Sequence, residues 1–267
     1  MKFLKQYVHE FWLFGIKQAN AAIFGGLLLA ILIFTHYVNI TFIHRYDFIF
    51  LSAILIQAGL IIFKLEHKKE IFIIVIFHIL ATGMEFFKTS PEIGSWVYPE
   101  TAFFMIATVP LFAGFLYSSV GSYLARVWRI FSFSFSKYPP FAYPIALAVL
   151  SYVNFITHHY IYDIRWFLFG FSAVIFWKTK VHFKILKKER SMPLLLGFVL
   201  VSFFIWIAEN IGTLTSVWLY PSQYSGWELV SLSKIGSWYL LMIVSFVLVS
   251  LVYRKTLRKE RITREVK

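Results

Sequence analysis

The feature that most constrains the fold is a series of long apolar runs separated by short polar islands. The runs cover, approximately, Ala19–Phe34, Phe48–Phe63, Ile71–Phe87, Ala102–Leu124, Phe141–Thr157, Ile164–Trp177, Met192–Ile211 and Gly236–Tyr253. About 20 apolar residues cross a bilayer as a helix, and polar or aromatic flanks complete the shorter runs. With 59% hydrophobic and 15% charged residues, the chain is too apolar for a soluble domain of its length. The pattern predicts an all-α, polytopic membrane bundle of about eight transmembrane helices.

Lysine and arginine are concentrated on one side of this predicted topology. An even number of spans puts both termini on the same side, and that side carries 22 of the 26 Lys and Arg residues. The other side carries Arg45, Lys88, Arg165 and Lys234. Cytoplasmic loops carry an excess of Lys and Arg, so both termini are predicted to be cytoplasmic. Because topology accounts for the net charge of +13, we expect no nucleic-acid partner.

The segment before the first run has its own pattern. In residues 1–18 apolar side chains recur at three- and four-residue spacing among lysines, which predicts a helix lying in the headgroup region. The chain contains no cysteine, which excludes a thiolate nucleophile and a cysteine metal site.

A Trp-x-Tyr-Pro motif occurs twice, each time after a glutamate near the end of an apolar run. Glu85 lies eleven residues before Trp96 of the first copy, and Glu209 lies nine residues before Trp218 of the second. A partial third copy, Ile235-Gly236-Ser237-Trp238, repeats Ile93-Gly94-Ser95-Trp96. The two glutamates therefore have similar surroundings in the sequence.

Other short matches follow the same order in both halves. Thr-His pairs end the first and fifth runs, and Tyr-Asp pairs precede the second and sixth. Trp96 and Trp218 are 122 positions apart. We therefore predict an internal duplication of a four-helix unit, with residues 1–140 as the first copy and 141–267, including a basic cytoplasmic tail, as the second. An even number of spans in each copy implies an axis along the membrane normal.

Side chains that can carry chemistry are concentrated around the two motifs, in the predicted outer half of the bilayer. Ionisable groups inside spans are costly and usually face a partner or a cavity. Glu85 and Glu209 are therefore candidate catalytic residues, and His158 is a third. The candidate ligand-binding residues are Trp96, Tyr98, Asn210, Trp218, Tyr220 and Asp163.

Each of these groups also has a structural interpretation. The aromatic residues could form a belt at the membrane interface. The glutamates could be bonded to a nearby lysine or to an exposed helix end. Asp163 could form an ion pair with Arg165, and Asp47 with Arg45 would then be its mirror image.

A metal site is a further possibility that the sequence leaves open. If a metal binds, two histidines and the two glutamates would supply a suitable ligand set, namely His36, His158, Glu85 and Glu209. No HExxH or comparable spacing supports such a site, so the cofactor is unknown.

The combined pattern resembles the YoaT-like family of bacterial integral membrane proteins, whose domain is one of unknown function. The resemblance rests on segments spread over most of the chain: Met84-Glu85, Gly94-Ser95-Trp96-Val97-Tyr98-Pro99, Val109-Pro110-Leu111-Phe112, Tyr117 to Tyr123, Glu209-Asn210-Ile211-Gly212 and Trp218 to Pro221. It implies a multi-pass protein of the bacterial plasma (inner) membrane, and no reaction.

A smaller resemblance, to membrane carotenoid hydratases and cyclases, is confined to four places. These are Glu85, Gly94, Tyr98 and Val109-Pro110. The spacing differs from those families, and their richer glycine pattern is missing here.

Two classes of function remain open. In the first, Glu85 or Glu209 acts as a general acid toward a lipid or isoprenoid at a site near the outer face, and aromatic rings stabilise positive charge. In the second, a small-solute or proton-coupled transporter uses the paired glutamates while its two halves rock. Few polar residues lie near mid-membrane, which favours the first class. The expected partners are the lipid bilayer and an apolar lipid or isoprenoid, and the oligomeric state is open.

Overall fold

The computed structural model describes residues 2–186, 188–254 and 257, and its side-chain detail begins at residue 5. Most of the predicted basic tail lies outside the described residues. Within them the chain forms nine α-helices: α1 (Lys2–Ala21), α2 (Ile23–Tyr37), α3 (Arg45–Ile62), α4 (Lys68–Lys88), α5 (Ala113–Ile130), α6 (Ala142–Thr157), α7 (Arg165–Phe176), α8 (Leu194–Leu214) and α9 (Ser233–Val252). The strands are β1 (Met105–Ile106), β2 (Val109–Pro110), β3 (Ser134–Ser136), β4 (Lys180–Lys184) and β5 (Glu189–Pro193). A short 3₁₀ turn covers Pro221–Gln223.

Several of the described helices are suited to a bilayer. By length and composition, α3, α4, α8 and α9 can each cross a membrane, and α1 with α2 makes a fifth candidate if their bend belongs to one broken span. Helices α6 and α7 are also apolar but have only 16 and 12 residues. The protein is therefore a mostly helical protein whose apolar helices are suited to a membrane.

The eight apolar runs of the sequence correspond to helices α2 to α9, one helix to each run. The largest difference concerns the run Ala102–Leu124, which we predicted as one span. Its first part forms the antiparallel β1–β2 hairpin, and α5 begins only at Ala113. Asp47 explains part of this difference, because its carboxylate accepts the backbone N–H groups of Phe103 at 2.9 Å and Phe104 at 2.8 Å. These bonds hold the chain outside a helix.

The chain is divided into two compact units, each made of separate segments. The first consists of the segment that ends at Ile23, the segment Tyr123–Val201 and the segment that begins at Tyr239. The second consists of Phe24–Ser122 and Ser202–Trp238. Both units draw on both halves of the sequence, so the division at residue 140 remains a sequence prediction.

The first unit contains a small antiparallel sheet in the order β3-β4-β5. Strand β3 lies just before the predicted division at residue 140 and pairs with β4, with Phe135 opposite Val181. Helix α1 packs on this sheet through Phe14, whose ring lies 6.1 Å from that of Phe183 in β4. Elsewhere on α1 the aromatic side chains Tyr7, Phe11 and Trp12 are exposed, as expected for a helix in the headgroup region.

The second unit contains the buried core that supports the two motif loops. This core is formed by Leu32, Tyr46, Ile49, Phe112 and Val217. Tyr98 and Trp218 of the two motifs pack against it. Helices α2, α3 and α5 thus form the base on which both motif loops rest.

The first turn of α3 ties the two motif-bearing loops to this core. Arg45 donates to the carbonyl oxygen of Thr215 at 2.8 Å and to Glu100 Oε1 at 2.8 Å. The Tyr46 hydroxyl donates to the carbonyl oxygen of Val217 at 2.7 Å. Arg45 and Tyr46, with Asp47, therefore hold the loop after α4 and the loop after α8 at one helix end, and we call these three residues the α3 clasp.

Candidate functional site

The two Trp-x-Tyr-Pro motifs pair with each other. Val97 and Leu219, which occupy the same position in each motif, form an antiparallel bridge with N–H···O distances of 2.9 Å in both directions. Antiparallel pairing makes Trp96 the cross-strand neighbour of Tyr220. Their ring centroids lie 6.2 Å apart in an edge-to-face arrangement. The second unit thus brings the two copies of the motif together.

Glu85 lies in the last turn of α4 and is 1% exposed. Its Oε2 atom accepts hydrogen bonds from Trp96 Nε1 at 3.0 Å and from the Tyr98 hydroxyl at 2.8 Å. The chain returns to this carboxyl through a turn in which Gly94 adopts φ +53°, a conformation that favours glycine. The Tyr117 hydroxyl of α5 is a further neighbour of the carboxyl.

Glu209 lies on α8 and is 3% exposed. The Tyr220 hydroxyl donates to its Oε1 atom, and Trp238 Nε1 of α9 donates to its Oε2 atom at 2.6 Å. Each glutamate therefore accepts hydrogen bonds from an indole and a phenol. Trp238 was absent from our predicted site, although the partial third motif copy in the sequence ends on it.

The surroundings of the two glutamates form one aromatic cluster. Trp96, which binds Glu85, contacts Tyr220, which binds Glu209. The ring centroids of Tyr117 and Trp238 also lie 6.2 Å apart. We call this set, Glu85, Glu209, Trp96, Tyr98, Tyr117, Tyr220 and Trp238, the two-carboxyl cluster. The sequence predicted five of these residues and missed Tyr117 and Trp238.

One cation lies within the two-carboxyl cluster. Lys234, in the first turn of α9, places its Nζ atom 4.1 Å from the ring centroid of Tyr220 and 6.0 Å from that of Trp96. Its charge also acts on the Glu209 carboxyl. The side chain is half-buried. Lys234 therefore has two aromatic neighbours and one acidic neighbour.

The two motif tyrosines remain protonated in this environment. Burial raises the pKa of Tyr98 well above its usual range, and the neighbouring Glu85 carboxyl raises it further. Burial and then the Glu209 carboxyl do the same for the pKa of Tyr220. Both hydroxyls are therefore stable hydrogen-bond donors to their glutamates.

Two predicted ligand-binding residues support the cluster and do not bind its carboxyls in the contacts described. The Trp218 ring lies against Gly212 so closely that a Cβ atom there would be 2.0 Å from Cη2. Asn210 donates from Nδ2 to the carbonyl oxygen of Trp206 at 2.8 Å and accepts from the Val230 backbone N–H at 2.9 Å. Asn210 thus holds the loop before α9.

The remaining predicted site residues have other surroundings. Asp163 and His158 belong to the first unit, where Asp163 binds Asn154 Nδ2 at 3.0 Å and Arg165 Nε at 2.5 Å. Burial alone would raise the pKa of Asp163, but hydrogen bonds from Asn154 and Arg165 outweigh it and hold the pKa below its usual value. The Nδ1 atom of His158 lies 2.9 Å from the carbonyl oxygen of Asn154. The expected ion pair of Asp163 is present.

The mirror pair of Arg45 and Asp47 does not form. Arg45 binds Glu100 and Thr215 instead, and Asp47 binds the backbone of Phe103 and Phe104. Between α2 and α3, an open cleft of about 980 Å³ is lined by His36 among other residues. Within the described residues, no three His, Asp or Glu side chains are grouped so that they could hold a metal ion. The described residues therefore do not assemble the predicted ligand set of His36, His158, Glu85 and Glu209.

Fold and site together describe a mostly helical protein that has apolar helices suited to a membrane and a buried pair of carboxyls. Residues 10–246 match the family model described as a protein of unknown function, DUF817, and the chain belongs to that family. It is 41% identical to the uncharacterized protein YoaT of Bacillus subtilis (strain 168) over 250 residues. These aligned residues cover 94% of this chain and 92% of that protein. The predicted YoaT-like membership is confirmed.

One solved structure, described as a cross-linked MvINS trimer, is also similar. The TM-score is 0.48 at 13% identity, over 70% of this chain and 95% of that chain. A likeness at this level does not define the fold.

Proposed function

We propose that the protein binds or modifies a lipid or isoprenoid at the two-carboxyl cluster. One observation carries the proposal: two buried glutamates on different helices each accept hydrogen bonds from an indole and a phenol, and the rings around one glutamate contact the rings around the other. Ionisable groups in apolar helices are costly, and this usually marks a functional site. The aromatic surroundings suit an apolar ligand better than a hydrated one.

The chemistry follows from the residue types. One carboxyl donates a proton to a double bond or a leaving group of the ligand as a general acid. The ring faces of Trp96 and Tyr220 stabilise the positive charge that develops, and the second carboxylate offsets it. The hydroxyls of Tyr98 and Tyr220 orient the two carboxyls. The mechanism does not use His158, whose Nδ1 atom contacts the carbonyl oxygen of Asn154; its catalytic role stays a sequence prediction.

In the same proposal the chain crosses the bacterial plasma membrane eight times, with both termini in the cytoplasm. The correspondence of eight apolar runs with helices α2 to α9 supports the number. The placement of 22 of the 26 Lys and Arg residues supports the orientation. The two-carboxyl cluster then lies near the outer face.

An internal duplication of a four-helix unit is part of the proposal. It is supported by the bridge between Val97 and Leu219, since residues at equivalent positions pair antiparallel to each other. The shared partner types of Glu85 and Glu209 support it as well.

A second candidate function is a small-solute or proton-coupled transporter that uses the paired glutamates. The observation that favours it is the position of His78 and Thr82 on the face of α4 that also carries Glu85, since both contact Gly114 of α5. Polar groups therefore continue from the cluster toward the middle of the helix. Proton uptake by proteoliposomes, abolished by Glu85→Gln, would favour this candidate over the first.

The test of the first candidate is the ligand that purifies with the protein. We expect mass spectrometry of the protein extracted in mild detergent to find a lipid or isoprenoid at near-equal molar amount. The variants Glu85→Gln and Glu209→Gln should lose it. The exposed residues Glu92 and Glu228 provide matched controls, and their glutamine variants should keep it. Equal retention in all four variants would separate the ligand from the cluster and refute the proposal.

A further inference from the structure

The two-carboxyl cluster already holds a cation, and that cation belongs to the protein itself. The Nζ atom of Lys234 is 4.1 Å from the ring centroid of Tyr220, well within the distance of about 6 Å at which an ammonium is attracted to an aromatic face. The Tyr220 hydroxyl is bonded to Glu209, so a carboxyl lies at the edge of the same ring. Ring and carboxyl together attract positive charge.

The position of Lys234 also indicates how the cluster is reached. Its neighbours Ser231 and Ser233 are exposed, Lys234 itself is half-buried, and Glu209 is 3% exposed. The lysine side chain therefore extends from the surface at the start of α9 toward the buried carboxyl. A ligand that takes this route meets the ammonium group first.

The cluster is consequently unequal at its two ends. The Glu209 end has a cation on an aromatic ring, whereas the contacts described for the Glu85 carboxyl are with the indole of Trp96 and the phenols of Tyr98 and Tyr117. A ligand with one charged end and one apolar end matches this inequality. Its charged end would occupy the position of the Lys234 ammonium.

We propose that the two-carboxyl cluster is a receptor for an ammonium group, and that the amine head group of an amphiphilic ligand replaces Lys234 from the face of Tyr220. This inference rests on the proposed function, because it takes the ligand to be a lipid and names its head group. The same chemistry would also accept a small free alkylammonium ion. The experiment must therefore separate these two sources.

Chemical rescue tests the ammonium site on the full chain. Replacing Lys234 by alanine should lower the Tm in detergent by about 2–4 °C, since a cation–π contact is lost beside a buried carboxyl. Ethylammonium chloride should restore the Tm, whereas ethanol and sodium chloride at the same concentration should not. The exposed Lys68 provides the control, and Lys68→Ala should respond to none of the three. Rescue by sodium chloride as well, or by none of the three, would overturn the proposal.

A binding measurement keeps the test decisive if the alanine variant does not fold. Lys234→Met keeps most of the side-chain volume without the charge, and ethylammonium should quench its tryptophan emission saturably and leave the wild type unaffected. No saturation in this variant would count against the site.

The lipid source is tested in nanodiscs. Lipids with an ethanolamine head group should raise the Tm of Lys234→Ala relative to lipids with a glycerol head group. Rescue by ethylammonium without this lipid effect would support an ammonium site for small free ions and would exclude a lipid head group as its ligand. A co-purified lipid without any ammonium rescue would leave the proposed function and exclude only its head-group class.

Discussion

Glu85 and Glu209 occupy matching places in the two halves of the chain, yet they are held differently. Glu85 accepts hydrogen bonds from Trp96 and Tyr98 of the loop after α4, both on Oε2, and has the Tyr117 hydroxyl of α5 as a further neighbour. Glu209 receives Tyr220 from its own loop and Trp238 from α9, one on each oxygen. The motif repeats the kinds of partner, one indole and one phenol, and not the residues that supply them.

The spacing of the motifs explains the exchange of tryptophans. Helix α4 ends at Lys88, eight residues before Trp96, whereas α8 continues to Leu214, only four residues before Trp218. The shorter connection leaves the Trp218 ring against α8 at Gly212. The indole of Trp238 then supplies the missing donor. The comparison teaches that a shift of two residues moves a site residue onto another helix.

The largest difference between the halves is expected at the arginines that begin α3 and α7. Arg45 binds Thr215 and Glu100 with its side chain 13% exposed, whereas Arg165 binds Asp163 at 30% exposure. Arg45→Met should lower the free energy of unfolding by about 3 kcal/mol. Arg165→Met should lower it by at most about 1 kcal/mol. Unfolding in mixed micelles measures both free energies. Equal losses in the two variants would show that the α3 clasp stabilises the protein no more than the Arg165–Asp163 pair does.

The next largest difference is expected between two helix glycines, Gly212 on α8 and Gly83 on α4. Alanine at Gly212 would meet the Trp218 ring, whereas a Cβ atom at Gly83, near Glu85 on α4, has nothing within 4 Å. We expect Gly212→Ala to destabilise the protein by about 2 kcal/mol through overpacking. Gly83→Ala should stabilise it by about 0.5–1 kcal/mol, because glycine is the poorer helix former. If both variants are neutral, the tight contact at Trp218 does not exist in solution.

The indole donors give the next effect. Trp238→Phe should cost about 1–2 kcal/mol, since it removes the donor to Oε2 of Glu209, and Trp96→Phe should cost less, about 1 kcal/mol, since Tyr98 still donates to the same oxygen of Glu85. In ¹⁵N spectra of the tryptophan side chains, Glu209→Gln should shift the Nε1 signal of Trp238 more than that of Trp218. A larger shift for Trp218 than for Trp238 would show that Trp218 is the indole donor to Glu209, as Trp96 is to Glu85.

The smallest expected effect is an unchanged tyrosinate absorbance at high pH when either motif tyrosine is replaced. Because the pKa values of Tyr98 and Tyr220 are well above the usual range of about 10, neither tyrosine should ionise near that range. Tyr98→Phe and Tyr220→Phe should therefore leave the tyrosinate absorbance at about pH 11 unchanged. A loss of one tyrosinate in either variant would show that its phenol is not buried beside a carboxyl.

The sequence was a good guide to the helices and a poor guide to the strands. Helices α2 to α9 follow the apolar runs, because length and composition are enough to identify them. The β1–β2 hairpin lies inside the run Ala102–Leu124, where apolar character alone cannot separate a strand from a helix. Strands β4 and β5 contain Lys180, Lys184 and Arg190, which entered the sequence prediction only as part of the excess of Lys and Arg on one side.

The candidate site was predictable where the residues repeat. Glu85, Glu209, Tyr98 and Tyr220 were identified from the repeated motif, and the structure assembles them in one unit. Tyr117, Lys234 and Trp238 reach the cluster from α5 and α9. Their contribution depends on how helices pack, which spacing along one segment does not reveal.

The α3 clasp has a consequence for the dynamics of the site. Since one helix end is bonded to both motif loops, at Thr215 and Val217 on one side and at Phe103 and Phe104 on the other, the loops share their anchor. Local opening of this anchor would release the loops that carry Tyr98 and Tyr220 in one event. The amide hydrogens of Val97 and Leu219 should accordingly exchange with solvent deuterium at a common rate, which Arg45→Met would raise for both.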